Sequence, residues 1–292
     1  MSACNPVTTS MHGKICVITG ANTGIGKAAA AALAALGARI VMVCRDRARG
    51  ERALEEIAAA ARKGGHGGSA ELSIADLSSQ SDVRSIAAAI LAAHPRIDVL
   101  VNNAGVALKH RQLTVDGIER TFAVNYLAYF MLANLLLPGL RAAGSARIVN
   151  VSSGAHRRGR LDFDNLQGER SYSNIRMYSD SKLEDLMFTY ALARRLAGTG
   201  VTVNALHPGV VATEIWREVP ILDFLSRWLM LSPEKGARTT VYLAASPDVE
   251  GVTGQYFDKC RPAEAIALSH DVALQERLWT TSVALTGVGA EI

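Results

Sequence analysis

Cysteine is scarce in this chain, with four among 292 residues: Cys4, Cys16, Cys44 and Cys260. Their spacing forms neither paired metal ligands nor a dense disulfide framework, so no metal site is expected, and a reducing, cytoplasmic setting is the simpler expectation. Charge of one sign is also lacking. A net charge of +4 argues against a dedicated nucleic-acid binder, while leaving room for a local anion pocket. No basic N-terminal segment leads into an apolar one, so no signal peptide is expected. Long uninterrupted apolar runs are missing too. Ala28 to Cys44 is broken by Gly37 and Arg39, and Phe122 to Leu140 contains Asn125, Asn134 and Pro138, so buried elements are expected there and no transmembrane span. Neither a Pro/Ser-rich linker nor an internal repeat divides the chain. What is plentiful is apolar side chain, 49% hydrophobic against 20% charged, enough for a substantial core.

After a polar tail over residues 1–13, the pattern alternates apolar runs and helical segments. Strands are expected at Lys14–Thr19, Arg39–Cys44, Ala70–Ile74, Asp98–Asn102, Arg147–Val151 and Val201–Leu206. Helices are expected from the glycine turn to about Leu36, at Ala48–Arg62, Ser81–Ala93 and Gly117–Leu137, and a further helix bearing Tyr178 and Lys182 runs on to about Gly198. This alternation implies one α/β domain over 14–292, a doubly wound Rossmann-type parallel sheet with helices on both faces. Ligands of such folds bind at the carboxyl ends of the strands. The helix Gly117–Leu137 is apolar on more than one face, which suits a subunit interface as well as a core, and a homodimer or homotetramer is expected.

Two groups of residues carry chemistry. In Thr19-Gly20-Ala21-Asn22-Thr23-Gly24-Ile25-Gly26, Gly20 permits a tight turn, Gly24 lets backbone approach a pyrophosphate, and Gly26 allows close helix packing. The helix that follows presents free N–H groups and a partial positive charge to phosphate. Tyr178 and Lys182 stand four apart, on one helical face. A free phenol has a pKa of about 10. A neighbouring ammonium favours the phenolate, as general acid–base work requires. Alone, the Tyr-x-x-x-Lys pair is common on helix surfaces, the glycine turn, with three residues between its first two glycines, is in a minority of isolated matches a bare strand-to-helix turn, and Asn102-Asn103-Ala104-Gly105 is an ordinary strand-ending turn.

Together with Asn125, Ser153 and Pro208-Gly209, these motifs resemble, in order, the classical short-chain dehydrogenase/reductase family over about Lys14–Phe257. Gly20–Lys27, Cys44-Arg45-Asp46, His156–Gly168 and Ser232-Pro233-Glu234-Lys235-Gly236-Ala237 are similar to its retinol-dehydrogenase-like branch. The resemblance implies that Tyr178 is the proton donor, that Lys182 holds the nicotinamide ribose and assists Tyr178, and that Ser153, rather than Ser152, orients the substrate oxygen. Asn125 would support a proton-returning water chain; a helix-interior polar group satisfying its neighbours is the alternative. Gly20, Asn22, Thr23, Gly24, Ile25 and Gly26 would bind cofactor, with Asp76 and Leu77 at the adenine and Asn103, Ala104 and Gly105 along the groove. Pro208, Gly209 and Thr213 would meet the nicotinamide end, although Thr213 also suits a helix N-cap.

Cofactor choice turns on the end of the second strand. Cys44 is neutral and Arg45 suits a 2′-phosphate, favouring NADP over NAD, while Asp46 is the competing acid. The residues between Ser153 and Tyr178 span about twice the usual gap of that family and carry several arginines, consistent with a solvated loop. Tyr172, His156 and His207 are expected to pack rather than react. An apolar face from Ile221 with Trp216, Leu222, Phe224, Leu225, Trp228 and Leu229 suggests a lid near 213–232 over a lipophilic substrate; core or subunit packing fits equally, with membrane-surface contact less so. The expected activity is NADP-dependent hydride transfer to or from a lipophilic carbonyl or alcohol, such as a retinal-like aldehyde. A redox-silent NAD(P)-binding regulator and a related lyase or epimerase are the alternatives.

Overall fold

Alternate residues of the central strands separate into two apolar sets, and this period of two builds the molecule. In the first strand Cys16 and Ile18 face one layer while Val17 faces the other. The computed structural model describes residue 4, residues 7–209 and residues 231–291. Its strands are β1 (Ile15–Thr19), β2 (Arg39–Cys44), β3 (Ser69–Ile74), β4 (Val99–Asn102), β5 (Ala146–Val151), β6 (Val201–His207), β7 (Tyr256–Asp258) and β8 (Arg261–Pro262). They form one sheet in the order β3-β2-β1-β4-β5-β6-β7-β8. All pairs are parallel except β7 with β8. Strand order reverses at β1 and β4, which opens a crevice at their carboxyl ends.

On one face lie helices α1 (Gly24–Ala35) and α2 (Arg47–Gly64), with the helix Pro233–Ala245. On the other lie α3 (Gln80–Ala93), the helical run from Arg120 to Leu135, the helix Asn174–Arg195 and the C-terminal helix Val272–Thr286.

Three expectations need correction. The apolar helix starts at Arg120 rather than Gly117, because Gly117 has φ 74° and sits in a turn. Its several apolar faces are covered inside the chain: Tyr126 to Ala133 are at most 2% exposed, and the C-terminal helix seals them with Trp279 against Phe130 (ring centroids 4.9 Å) and Phe188 (6.0 Å). The interface reading of this helix thereby loses its basis. Cys4 and Cys260 form a disulfide across 256 positions, which counts against the expected reducing setting. The stretch after Ser153 keeps Arg157, Arg158, Arg160 and Arg170 exposed, as expected of a solvated loop, and is docked as well. Its Gly154–Arg158 turn buries His156 against Tyr256 (4.9 Å between rings), and Arg160 N–H donates to the Asp180 carboxylate at 2.7 Å.

Candidate active site

A cavity of about 480 Å³ opens at the β1/β4 crevice. Its floor is the glycine turn. Gly20 and Gly24 have φ of 66° and 54°, the left-handed region where a side chain is strained. A Cβ at Gly26 would come within 2.4 Å of both Asn103 Nδ2 and the Gly20 carbonyl oxygen, so only glycine fits where α1 leaves the turn. Thr23 begins α1 without a side-chain cap, and no acid stands in the first turn. The N-terminal N–H groups and the positive end of the helix dipole therefore remain for an anion. This cradle fits a dinucleotide pyrophosphate.

The groove wall is tied directly to that turn. Asn103 donates from Nδ2 to the Thr19 carbonyl (2.9 Å), and the Thr19 hydroxyl oxygen accepts from the backbone N–H of Asn103 (2.8 Å) and Ala104 (3.0 Å). Ala75, Asp76 and Leu77 close the end of the cavity reached by β3. Asp76 accepts from both the N–H (2.9 Å) and the hydroxyl (2.8 Å) of Ser78.

Tyr178 and Lys182 line the opposite end. Both are buried, at 8% and 4% exposure. The helix that carries them is pinned to the sheet by polar groups rather than by apolar contact alone. Ser152 donates its hydroxyl to the Lys182 carbonyl (2.7 Å), and Ser181 donates to the Tyr178 carbonyl (2.8 Å). A buried relay runs from Asn102 Nδ2 to Asn150 Oδ1 (2.9 Å) and from Asn150 Nδ2 to the Thr189 hydroxyl (2.9 Å). Thr189 in turn donates to the Asp185 carbonyl (2.7 Å). Ser152 lines the cavity with its hydroxyl so committed; beside it stands Ser153, expected to orient substrate. Its hydroxyl oxygen accepts from Ala155 N–H at 3.2 Å, which still leaves its own O–H as a donor. Ser153 is not among the residues lining the described cavity, and Thr213 and nearly all of the proposed lid lie outside the described residues. Pro208 lines the cavity, and Gly209 follows with φ 86°.

Asn125 sits in a π-helical turn, Ala123–Leu127, a widening often found at functional sites. Its side chain accepts from Val106 N–H (2.8 Å) and donates to the Val106 carbonyl (3.0 Å) and the Ser181 hydroxyl (3.0 Å). In this arrangement the side chain clamps the strip after Gly105 to the Tyr178 helix. Tyr172 has a polar role besides packing, donating to the Leu108 carbonyl in the cavity wall (2.8 Å). His207 accepts from Gly154 N–H at Nδ1 (3.0 Å), a structural job that requires that nitrogen to be unprotonated.

Three residues absent from the sequence-based site emerge: Asp185, Tyr129 and Arg49. Lys182 Nζ donates to Asp185 Oδ2 at 2.8 Å and to the Val151 carbonyl at 3.0 Å, and stands 5.3 Å from the centre of the Tyr129 ring. Burial alone would lower the Lys182 pKa. The Asp185 carboxylate first, with the neighbouring Tyr129 and Tyr178 phenols, outweighs it, and the ammonium is held above the usual lysine value. The i,i+3 spacing of Lys182 and Asp185 was readable as a shared helix face; Tyr129 carried no such signal. At the other end, Arg45, Asp46 and Arg49 all line the cavity. Asp46 caps α2 by accepting from Arg49 N–H at 2.9 Å, and its second oxygen is 3.7 Å from Arg49 Nε. Burial pushes the Cys44 thiol up to about 11, so the last residue of β2 is neutral.

Comparison with known proteins agrees with this geometry. The family model described as short chain dehydrogenase matches residues 14–221. Retinol dehydrogenase 14 of Mus musculus is 44% identical over 291 residues, covering 95% of this chain and 87% of that protein. Retinol dehydrogenase 13 of Homo sapiens is 41% identical, covering 98% and 88%. Among solved structures, a Mycobacterium paratuberculosis protein superposes with a TM-score of 0.79 at 32% identity, over 98% of each chain. A Beutenbergia cavernae chain, described as an NAD(P)-dependent gluconate 5-dehydrogenase and solved with NADP at low occupancy, has a TM-score of 0.68 at 30% identity, covering 86% and 96%.

Proposed function

Because the chain belongs to the short-chain dehydrogenase family of alcohol and carbonyl oxidoreductases, we propose that it uses NADP and acts on a lipophilic carbonyl or alcohol. The observation that carries the cofactor choice is the commitment of Asp46. An acid near the end of the second strand discriminates against a 2′-phosphate when it faces the ribose. Here that carboxylate caps its own helix and faces Arg49, while Arg45 and Arg49 supply cavity-lining guanidinium groups suited to phosphate.

When bound, the nicotinamide dinucleotide supplies or accepts the hydride. The glycine turn and the start of α1 would hold the pyrophosphate, Asp76 and Leu77 would bound the adenine, and Lys182 would meet the nicotinamide ribose. Tyr178 gives its phenolic proton to the substrate oxygen in reduction and takes it back in oxidation. Ser153 donates to that same oxygen, orienting it and stabilising its developing charge. A lipophilic substrate is supported by the apolar residues Val106, Leu108 and Val124 in the cavity wall and by the retinol named for the relatives.

The test is calorimetric titration of the protein and of Arg45→Ala with NADPH and NADH, followed by turnover on a panel of lipophilic aldehydes, ketones and alcohols. Loss of a charge-assisted hydrogen bond should weaken NADPH at least roughly tenfold in the variant and leave NADH nearly unchanged. Tighter NADH binding in the unmodified chain would reverse the cofactor assignment. Tight binding without turnover on any panel member would favour a redox-silent sensor.

A further inference from the structure

Lysine 182 is the cation the site depends on, yet it is not alone. Its ammonium has three N–H donors. Asp185 Oδ2 takes one at 2.8 Å and the Val151 carbonyl takes another at 3.0 Å. Asp185 is fully buried, and its second oxygen, Oδ1, has no hydrogen-bond partner among the described residues. A carboxylate so placed has a strong reason to keep hold of its cation, because water is not there to replace it.

The surrounding ionisable groups come from every element packed on this point. Tyr178 and Glu184 share the helix with Lys182 and Asp185. Tyr129 approaches from Ala128–Leu135 and Tyr126 from the π turn, and Asp180 on the same helix and Glu119 also act on Glu184. Burial first, then the Asp180, Asp185 and Glu119 carboxylates, push Glu184 well above the usual carboxylate range and favour its neutral acid. Burial pushes the Asp185 carboxyl up to about 7 against the pull of Lys182, so above that pH the Lys182–Asp185 pair is one ammonium and one carboxylate. A charge and its counter-ion act on a third group more weakly than the bare charge, since their Coulomb terms oppose.

We propose that Asp185 is a positioning residue that anchors the Lys182 ammonium at the catalytic end of its helix and offsets part of its charge, thereby setting how strongly Lys182 favours the Tyr178 phenolate. This rests on the functional reading above. It distinguishes two contributions, a hydrogen bond that fixes Nζ and a negative charge that tempers it.

Asp185→Asn separates them, because the amide oxygen keeps an acceptor while the charge is removed. Tyrosinate absorbance of the cofactor-free protein is titrated against pH, with the Tyr178 contribution obtained by subtracting the Tyr178→Phe titration made in the same background. The pH profile of turnover is measured in parallel. Removal of the negative charge paired with Lys182 should move the Tyr178 transition, and the limb of the rate profile it controls, about one pH unit toward acid. That displacement has the same sign for reduction and oxidation. Asp185→Ser removes the same charge in a smaller side chain and serves should the Asn variant not fold. It should also raise KM for the cofactor, because Nζ loses its anchor. A Tyr178 transition at the wild-type pH in a folded variant overturns the proposal, even if kcat or melting temperature has fallen. Absence of turnover in the unmodified chain would count against the functional reading, while the absorbance titration would still decide the role of Asp185.

Discussion

At the scale of single residues, this site is governed by what each polar group is already bound to. Ser152 and Ser153 are adjacent and chemically identical, but one hydroxyl is committed to the Lys182 carbonyl and the other caps a short turn as an acceptor. Asp46 and Arg45 are likewise neighbours whose roles diverge because one caps a helix. No sequence pattern announces such commitments. His207 leads to a prediction of this kind. Burial, its first cause, lowers the His207 pKa, with Lys259 and Arg157 adding to the effect and Asp258 opposing it. The unfolded chain, with an ordinary value of about 6.5, then binds more protons than the folded chain below that pH. Its contribution to stability is complete above about 6.5 and is lost as pH falls toward the depressed folded value. His207→Gln, which keeps a side-chain acceptor for Gly154 but does not titrate, should flatten the fall of melting temperature over that range. An equally steep fall in the variant would remove His207 from the account.

At the scale of elements, β1 with its glycine turn, β2, and the strands ending at Asn102, Val151 and His207 were legible within a residue or two. Each is a short β-branched or apolar run stopped by glycine or polar residues. The C-terminal elements were not. β7 and β8 have three and two residues, too few for periodicity to register. The helix Val272–Thr286 buries Leu278, Trp279 and Ser282 on a narrow face broken by polar residues, so its pattern is weak. Its importance shows only in contacts. Trp279 is 6% exposed, packs on Phe130 and Phe188, and lies under the Arg195 guanidinium at 4.0 Å. Trp279→Ala should destabilise the fold by about 3–5 kcal/mol, as large-to-small core substitutions of aromatics do. Chemical denaturation measures this, and a loss under about 1 kcal/mol would mean the helix is only loosely held.

At the scale of the whole molecule, the sheet's change of direction at β1 and β4 brings two distant sequence motifs to opposite ends of one cavity. Gly20 to Gly26 and Tyr178 to Lys182 are joined through Thr19, Asn103 and Asn125 by hydrogen bonds of 2.8–3.0 Å. Asn103, Asn125, Tyr178 and Lys182 were singled out in the sequence by their motifs and by the family resemblance those motifs carry. Their bracing was not, since Thr19 and Ser181 look like ordinary polar residues until the fold brings them together. The central claim is that this cavity binds a dinucleotide while Tyr178 moves the proton. Its most direct test measures both properties on one variant, Tyr178→Phe: NADPH affinity by calorimetry and reduction of a lipophilic aldehyde by loss of nicotinamide absorbance. The account predicts affinity within about twofold of wild type with turnover reduced by roughly 10²–10⁴. Turnover close to wild type would contradict it.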